Sequence, residues 1–282
     1  MPKWLSETKR FVFDFAAKFS ADQTLDRAAA LGFFAMLALF PFLIGAVTLA
    51  SLLMNPRTVE SLVRDLAEVT PPDVTRLLGD QLRGLVRSGS SSILTLSTFG
   101  AYWAASGGMS ALMRALNRIE EVKETRPIWK TKGISLLTTL VAVGFLLTAA
   151  IVAVATPAVA RAVGGPLGTL ISWMRLPFAG ALAVFSWEVL YHLLPNRRRP
   201  FRLASPGSIV AVILWLAASW GFSTYVVNFG RYDVTYGALG AFVVLLLWLL
   251  ISSLVVLVGA QINVLLEKRA DRGDRGDRPP AG

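Results

Sequence analysis

Five stretches of this 282-residue chain, 28–56, 88–113, 133–160, 203–230 and 234–266, contain no Asp, Glu, Lys or Arg, and a sixth, 176–196, is broken only by Glu188. An α-helix rising about 1.5 Å per residue needs about 20 apolar residues to cross the hydrocarbon of a bilayer. Each stretch reaches that length with residues to spare for tilt. The expected fold is therefore an all-α membrane protein with about six transmembrane helices. With 54% apolar and 16% charged side chains, the chain also has too little polar surface to coat a water-soluble globule of its size.

A net charge of +10 would suit nucleic acid, but the placement of the cations points to a membrane instead. Taken in alternate segments between the apolar runs, Lys and Arg number 20 on one side against 8 on the other. The positive-inside rule then puts both termini and two short basic loops in the cytoplasm, with an even number of spans between them. Six spans satisfy this, and the expected location is the bacterial inner membrane, crossed several times. The first apolar run is too long for a signal-peptide core and follows 27 residues, so it reads as an uncleaved anchor. Zero cysteines exclude disulfides, thiolate catalysis and Cys-type metal sites.

Along the chain, residues 1–27 form an N-terminal interfacial segment. Trp4, Leu5, Phe11, Val12, Phe15 and Phe19 fall on one helical face, with Glu7, Arg10, Asp14 and Lys18 opposite. The membrane domain covers 28–267, and Pro41, in the middle of its first run, predicts a kink. Apolar residues at helical spacing on both sides of Pro71-Pro72 predict an outer, periplasmic-side helical hairpin over 57–87, a surface suited to an envelope protein partner. Gly100, Ala104 and Gly108 line one face of the second span, where another backbone can come close. That span is expected to run on past Ile119 and stop near Arg126-Pro127. The Gly- and Pro-rich stretch after Pro157 predicts a loop or re-entrant piece, with the fourth span starting at Leu176. Residues 268–282, rich in Gly, Pro, Arg and Asp, predict a disordered cytoplasmic tail.

Three groups of residues carry candidate chemistry. Glu188 is the only acid inside a span, and His192 follows at i+4, so the pair either binds a proton or cationic group in a cavity or ties helices together. Arg197, Arg198, Arg199 and Arg202 form the clearest inner-leaflet cation cluster, either contacting anionic headgroups or anchoring the topology. The turn between the last two spans gathers Asn228, Phe229, Tyr232, Asp233, Thr235, Tyr236 and Gly237, which suits an outer gate as well as it suits a demanding turn with tyrosines in the aromatic belt. Gln261 and Asn263, near the end of the last span, are placed to hydrogen-bond neighbouring helices. No phosphate-binding glycine loop, HExxH or zinc spacing is present, and neither a cofactor nor nucleic acid is expected.

The blocks ALGFFAMLALFPFL, LNRIEEVKETRPIW, LPNRRRPFR and the long segment from WGFSTYVVNFGRYDVTYGALG to QINVLLE resemble the YihY/BrkB family of bacterial inner-membrane proteins, once labelled ribonuclease BN. The resemblance covers about residues 20 to 268 and implies a helical membrane protein of about six spans without a settled activity. Two positions depart from the family pattern: Phe33-Phe34 stands where a tyrosine is common, and Glu188 where an apolar residue is expected. The leading functional expectation is a protein, not an enzyme, that handles or transports a lipid or other amphiphile. A structural or assembly protein docking an envelope partner is the alternative. A ribonuclease is the least favoured, because the inner acids alternate with bases on a solvated helix.

Overall fold

In hydrocarbon each backbone N–H and C=O has to find its partner within the segment, which leaves helix as the solution for long apolar runs. The computed structural model describes residues 3–53, 91–197, 200–229 and 233–276, and among these it has seven α-helices and no strand. They are α1 (Lys3–Ala21), α2 (Thr24–Leu53), α3 (Ser91–Ile119), α4 (Ile128–Val163), α5 (Gly165–Leu193), α6 (Pro206–Phe229) and α7 (Asp233–Gly276). The six apolar runs map one by one onto α2 to α7. Among the described residues, four stretches are long and apolar enough to cross a membrane: Ile128–Ala149, Gly165–Leu193, Pro206–Val226 and Phe242–Asp271. Their surfaces expose Leu140, Leu146, Leu147, Ile213, Leu216 and Trp220, a density of bare apolar side chains that suits lipid rather than water. The chain is an all-α membrane protein.

It divides into two compact units, residues 34–107 and residues 1–33 with 108–282. In the first, α2 and α3 meet across glycines. A Cβ at Gly100 would stand 3.6 Å from the Pro41 side chain, and one at Gly107 only 3.2 Å from the Phe34 ring. Pro41 stays inside an uninterrupted α2. The predicted hairpin at 57–87 lies outside the described residues.

In the second unit, α4 packs on α5, α5 on α6, α6 on α7, and α1 on α7. The loop expected after Pro157 is not there. Helix α4 passes through Pro157 to Val163, and α5 begins at Gly165, eleven residues before the expected start at Leu176. The whole connection is an elbow at Gly164 and Gly165, with φ of +64° and +59°, which glycine adopts without a steric penalty. Pro166 lies in the first turn of α5, where a missing N–H costs nothing.

Helix α3 ends at Ile119, earlier than Arg126-Pro127. Val122 donates its N–H to Asn117 O at 2.9 Å and Glu121 to Arg118 O at 3.1 Å, the paired bonds of a Schellman cap. Glu121 holds the left-handed position with φ +58°. The residues from Lys268 also differ from expectation, because α7 continues to Gly276. Lys268 pairs with Glu121 at 2.6 Å and Arg269 with Asp14 at 3.8 Å, while the Arg269 guanidinium sits 4.7 Å over the Phe11 ring. These contacts extend the helix past the apolar run.

Candidate functional site

Two polar assemblies are built into the second unit. The first is a seam along one face of α7. Ser252, Val256, Gly259 and Asn263 follow one another at steps of four, three and four, so they line a single helical face about 16 Å long. Asn263 accepts from Gly207 N at 2.7 Å and donates to Ser205 Oγ at 2.8 Å. At Gly259 the helices nearly touch. Tyr191 of α5 donates its hydroxyl to Val256 O at 2.6 Å, and Trp215 of α6 donates Nε1 to Ser252 Oγ at 3.1 Å.

Glu188 lies on α5 three residues before Tyr191, hence on the same face one turn deeper. It is 8% exposed, and its Oε2 is buried without a hydrogen-bond partner. The Ser219 hydroxyl, one turn beyond Trp215, is likewise buried and unpartnered. Desolvating a polar atom without a partner costs about 1–3 kcal/mol, and more if it is charged.

The second assembly closes the end of the unit where the basic segments gather. Asn117 accepts Asn196 N at 2.7 Å and donates to Glu124 Oε2 at 2.8 Å. Asn196 Nδ2 reaches Lys123 O and Thr125 Oγ1, both at 2.8 Å. Arg126 grips Glu124 through Nε and Nη2 at 2.7 Å each and donates to Leu194 O at 2.8 Å. Gln261, fully buried, donates Nε2 to Thr24 Oγ1 at 2.7 Å and to Asp22 Oδ2 at 3.2 Å, fixing the tight turn between α1 and α2.

The sequence candidates fall unevenly on this framework. Glu188 and His192 share a helix face but are not hydrogen-bonded. The His192 ring packs edge-on against Phe201, centroids 5.3 Å apart. Arg197 pairs with Glu120 at 3.0 Å and Glu267 at 3.3 Å rather than with Glu188, because the chain turns away after Pro195. Arg202 is exposed, and Arg198 and Arg199 lie outside the described residues. Asn228 and Phe229 close α6, while Asp233, Thr235, Tyr236 and Gly237 open α7; Tyr232 lies outside the described residues. Helix thus takes up most of the expected outer turn. Gln261 and Asn263 do bond neighbouring helices.

The hydrogen bond from Lys268, aided by Lys18, holds the Glu121 carboxyl below the usual carboxylate range, and the Arg126 grip does the same for Glu124. A carboxylate whose folded pKa is depressed stabilises the fold above its unfolded pKa and loses that contribution as pH falls through the folded value. The thermal midpoint in neutral detergent is therefore expected to be level from pH 7 to about 5 and to drop below that. Glu124→Gln should lower the midpoint at pH 7 and flatten the acid limb. An unchanged acid limb in that variant would remove the clamp from the explanation.

A family model described as Virulence factor BrkB matches residues 15–281. The chain belongs to the BrkB family. Among BrkB-like relatives, it is 29% identical over 270 residues to the ribonuclease-like protein YfkH of Bacillus subtilis (strain 168), covering 92% of this chain and 96% of that one. It is 30% identical over 271 residues to a UPF0761 membrane protein of Alkalilimnicola ehrlichii, covering 93% of this chain and 59% of the relative. The UPF0761 membrane protein YihY of Salmonella arizonae is 31% identical over 176 residues, 61% of this chain and 60% of that protein. No solved structure matches. This BrkB-family chain is a membrane protein, and its polar seam is the feature a family label leaves unexplained.

Proposed function

We propose that this BrkB-family protein handles an amphiphile, a lipid or lipid-like molecule with a polar head, within or across the bacterial inner membrane, with its basic end in the cytoplasm. One observation carries the reading: a polar seam enters an apolar bundle from the basic end, and a carboxylate oxygen is buried beside it without a partner. Ionisable groups inside membrane helices are costly and mark substrate or ion pathways. A head group passing along the seam exchanges these interhelical hydrogen bonds for its own, one after another, while the acyl chains stay in lipid.

The reading assigns no bond-breaking chemistry. The acids at the basic end are already engaged, Glu120 by Arg197, Glu121 by Lys18 and Lys268, and Glu124 by Arg126, which speaks against a free general base for RNA cleavage. Reconstitution into liposomes with a fluorescent lipid, followed by dithionite quenching of the outer leaflet, tests the proposal. Leaflet exchange clearly above that of empty vesicles is expected. Its absence across several lipid classes would defeat it.

A further inference from the structure

We propose that the cavity between α1, the α3–α4 connection and the end of α7 is a binding site for a phosphate-bearing anion. It shares no residue with the seam, and the inference stands whether or not anything crosses the bundle. The cavity has a volume of about 630 Å³, within the roughly 300–1,000 Å³ of small-molecule sites. Lys18, Arg118, Lys123, Lys268 and Arg269 line it, against Asp14, Asp22 and Glu121. Five cations facing three carboxylates leave an excess of two positive charges in one concavity.

That excess defines the ligand. A phosphomonoester carries about −1.5 to −2 at neutral pH and offers three acceptor oxygens, whereas a carboxylate brings one charge. The cations also keep donors available after their internal pairing. Lys18 is shared between Asp22 and Glu121, each at 3.1 Å, and Arg118 uses Nε toward Asp22 at 3.7 Å and Nη2 toward Ala21 O at 3.2 Å, out of five N–H groups on its guanidinium. Lys123 makes no ion pair with a described residue and supplies an uncommitted charge at the mouth. Asn117 adds a neutral polar edge.

The phosphate has two possible sources, a lipid headgroup or a free phosphate compound. The outward face of α1 exposes Val12 and Phe13, at 59% and 76%, beside exposed Lys9 and Arg10, the make-up of a helix lying on an anionic bilayer surface. The cavity would then open at headgroup depth. Both sources satisfy the same charges, and the test distinguishes them.

The full-length protein in neutral detergent is titrated with inorganic phosphate by calorimetry, and its retained lipids are counted by native mass spectrometry with phosphatidic acid and with phosphatidylcholine. Binding of phosphatidic acid over phosphatidylcholine, of inorganic phosphate, or of both is expected, weakening with salt. Retention of phosphatidic acid without binding of phosphate assigns the site to a headgroup; equal affinity for both assigns it to the phosphate itself. Lys123→Gln should weaken binding about tenfold, the loss of one charge-assisted hydrogen bond. Glu121→Gln frees Lys18 and Lys268 and should tighten it several-fold, a change that misfolding cannot imitate. Failure of both probes to bind, or an affinity indifferent to both substitutions, would overturn the site.

Discussion

Gly259→Leu is expected to abolish the stable bundle in neutral detergent, and Gly259→Ala to lower its thermal midpoint by roughly 5–10 °C, as a loss of about 2–3 kcal/mol does in a domain of this size class. A Cβ at this position would stand 2.6 Å from Ala211 Cβ, 2.6 Å from Tyr191 Oη and 2.7 Å from Gly207 O. None of the three can swing aside. Ala211 Cβ and the Gly207 carbonyl move only with the backbone of α6, and the tyrosine hydroxyl is held by Val256 O at 2.6 Å. Helices α6 and α7 would have to separate, which strains the bond from Gly207 N to Asn263 Oδ1 and exposes a buried donor to nothing. Gly221→Ala is the matched control. It lies on α6 with nothing within 4 Å of a built Cβ, so the better helix propensity of alanine should leave the midpoint equal or higher. Equal midpoints for Gly259→Ala and Gly221→Ala would show that the close approach is not what holds these helices together.

The same glycine shows where sequence reasoning reached and where it stopped. Length and absence of charge placed six helices, because hydrocarbon permits no other backbone there. They also singled out Glu188, whose burial without a partner matters more than its i+4 relation to His192. The seam itself stayed hidden. Ser252, Val256, Gly259 and Asn263 are individually ordinary, and only their four-three-four spacing read together with Tyr191 and Trp215 marks one polar face. Arg126-Pro127 is a misleading stop for α3, because the helix ends at a glutamate in the left-handed position where glycine is usual. The elbow at Gly164 is shorter than Pro157 and Pro166 suggest, because a proline in the first turn of a helix costs no hydrogen bond and α4 accommodates the other in its interior. The engagement of Arg197 by Glu120 and Glu267 depends on contacts 77 and 70 residues apart, for which a lone chain offers no periodicity.

At Glu188 stability and function are expected to move in opposite directions. Glu188→Leu replaces a buried oxygen that has no donor by apolar volume, and removing an unsatisfied polar group of this kind should stabilise the bundle by about 1–3 kcal/mol. Leaflet exchange of a fluorescent lipid in liposomes should nevertheless fall at least about tenfold, since a loss of about 1.4 kcal/mol in the passage of a polar head is already that large. Glu188→Gln keeps the shape and the hydrogen-bonding capacity but not the ionisable group, so it separates polarity from charge: exchange near the wild-type rate would mean that a polar partner suffices. A side chain retained only for packing would show no such opposition, because Glu188→Leu would leave exchange untouched whatever it did to stability. A Glu188→Leu protein that is more stable and exchanges lipid as fast as before would therefore strip the buried carboxylate of any role in transport and leave the seam as interhelical packing alone.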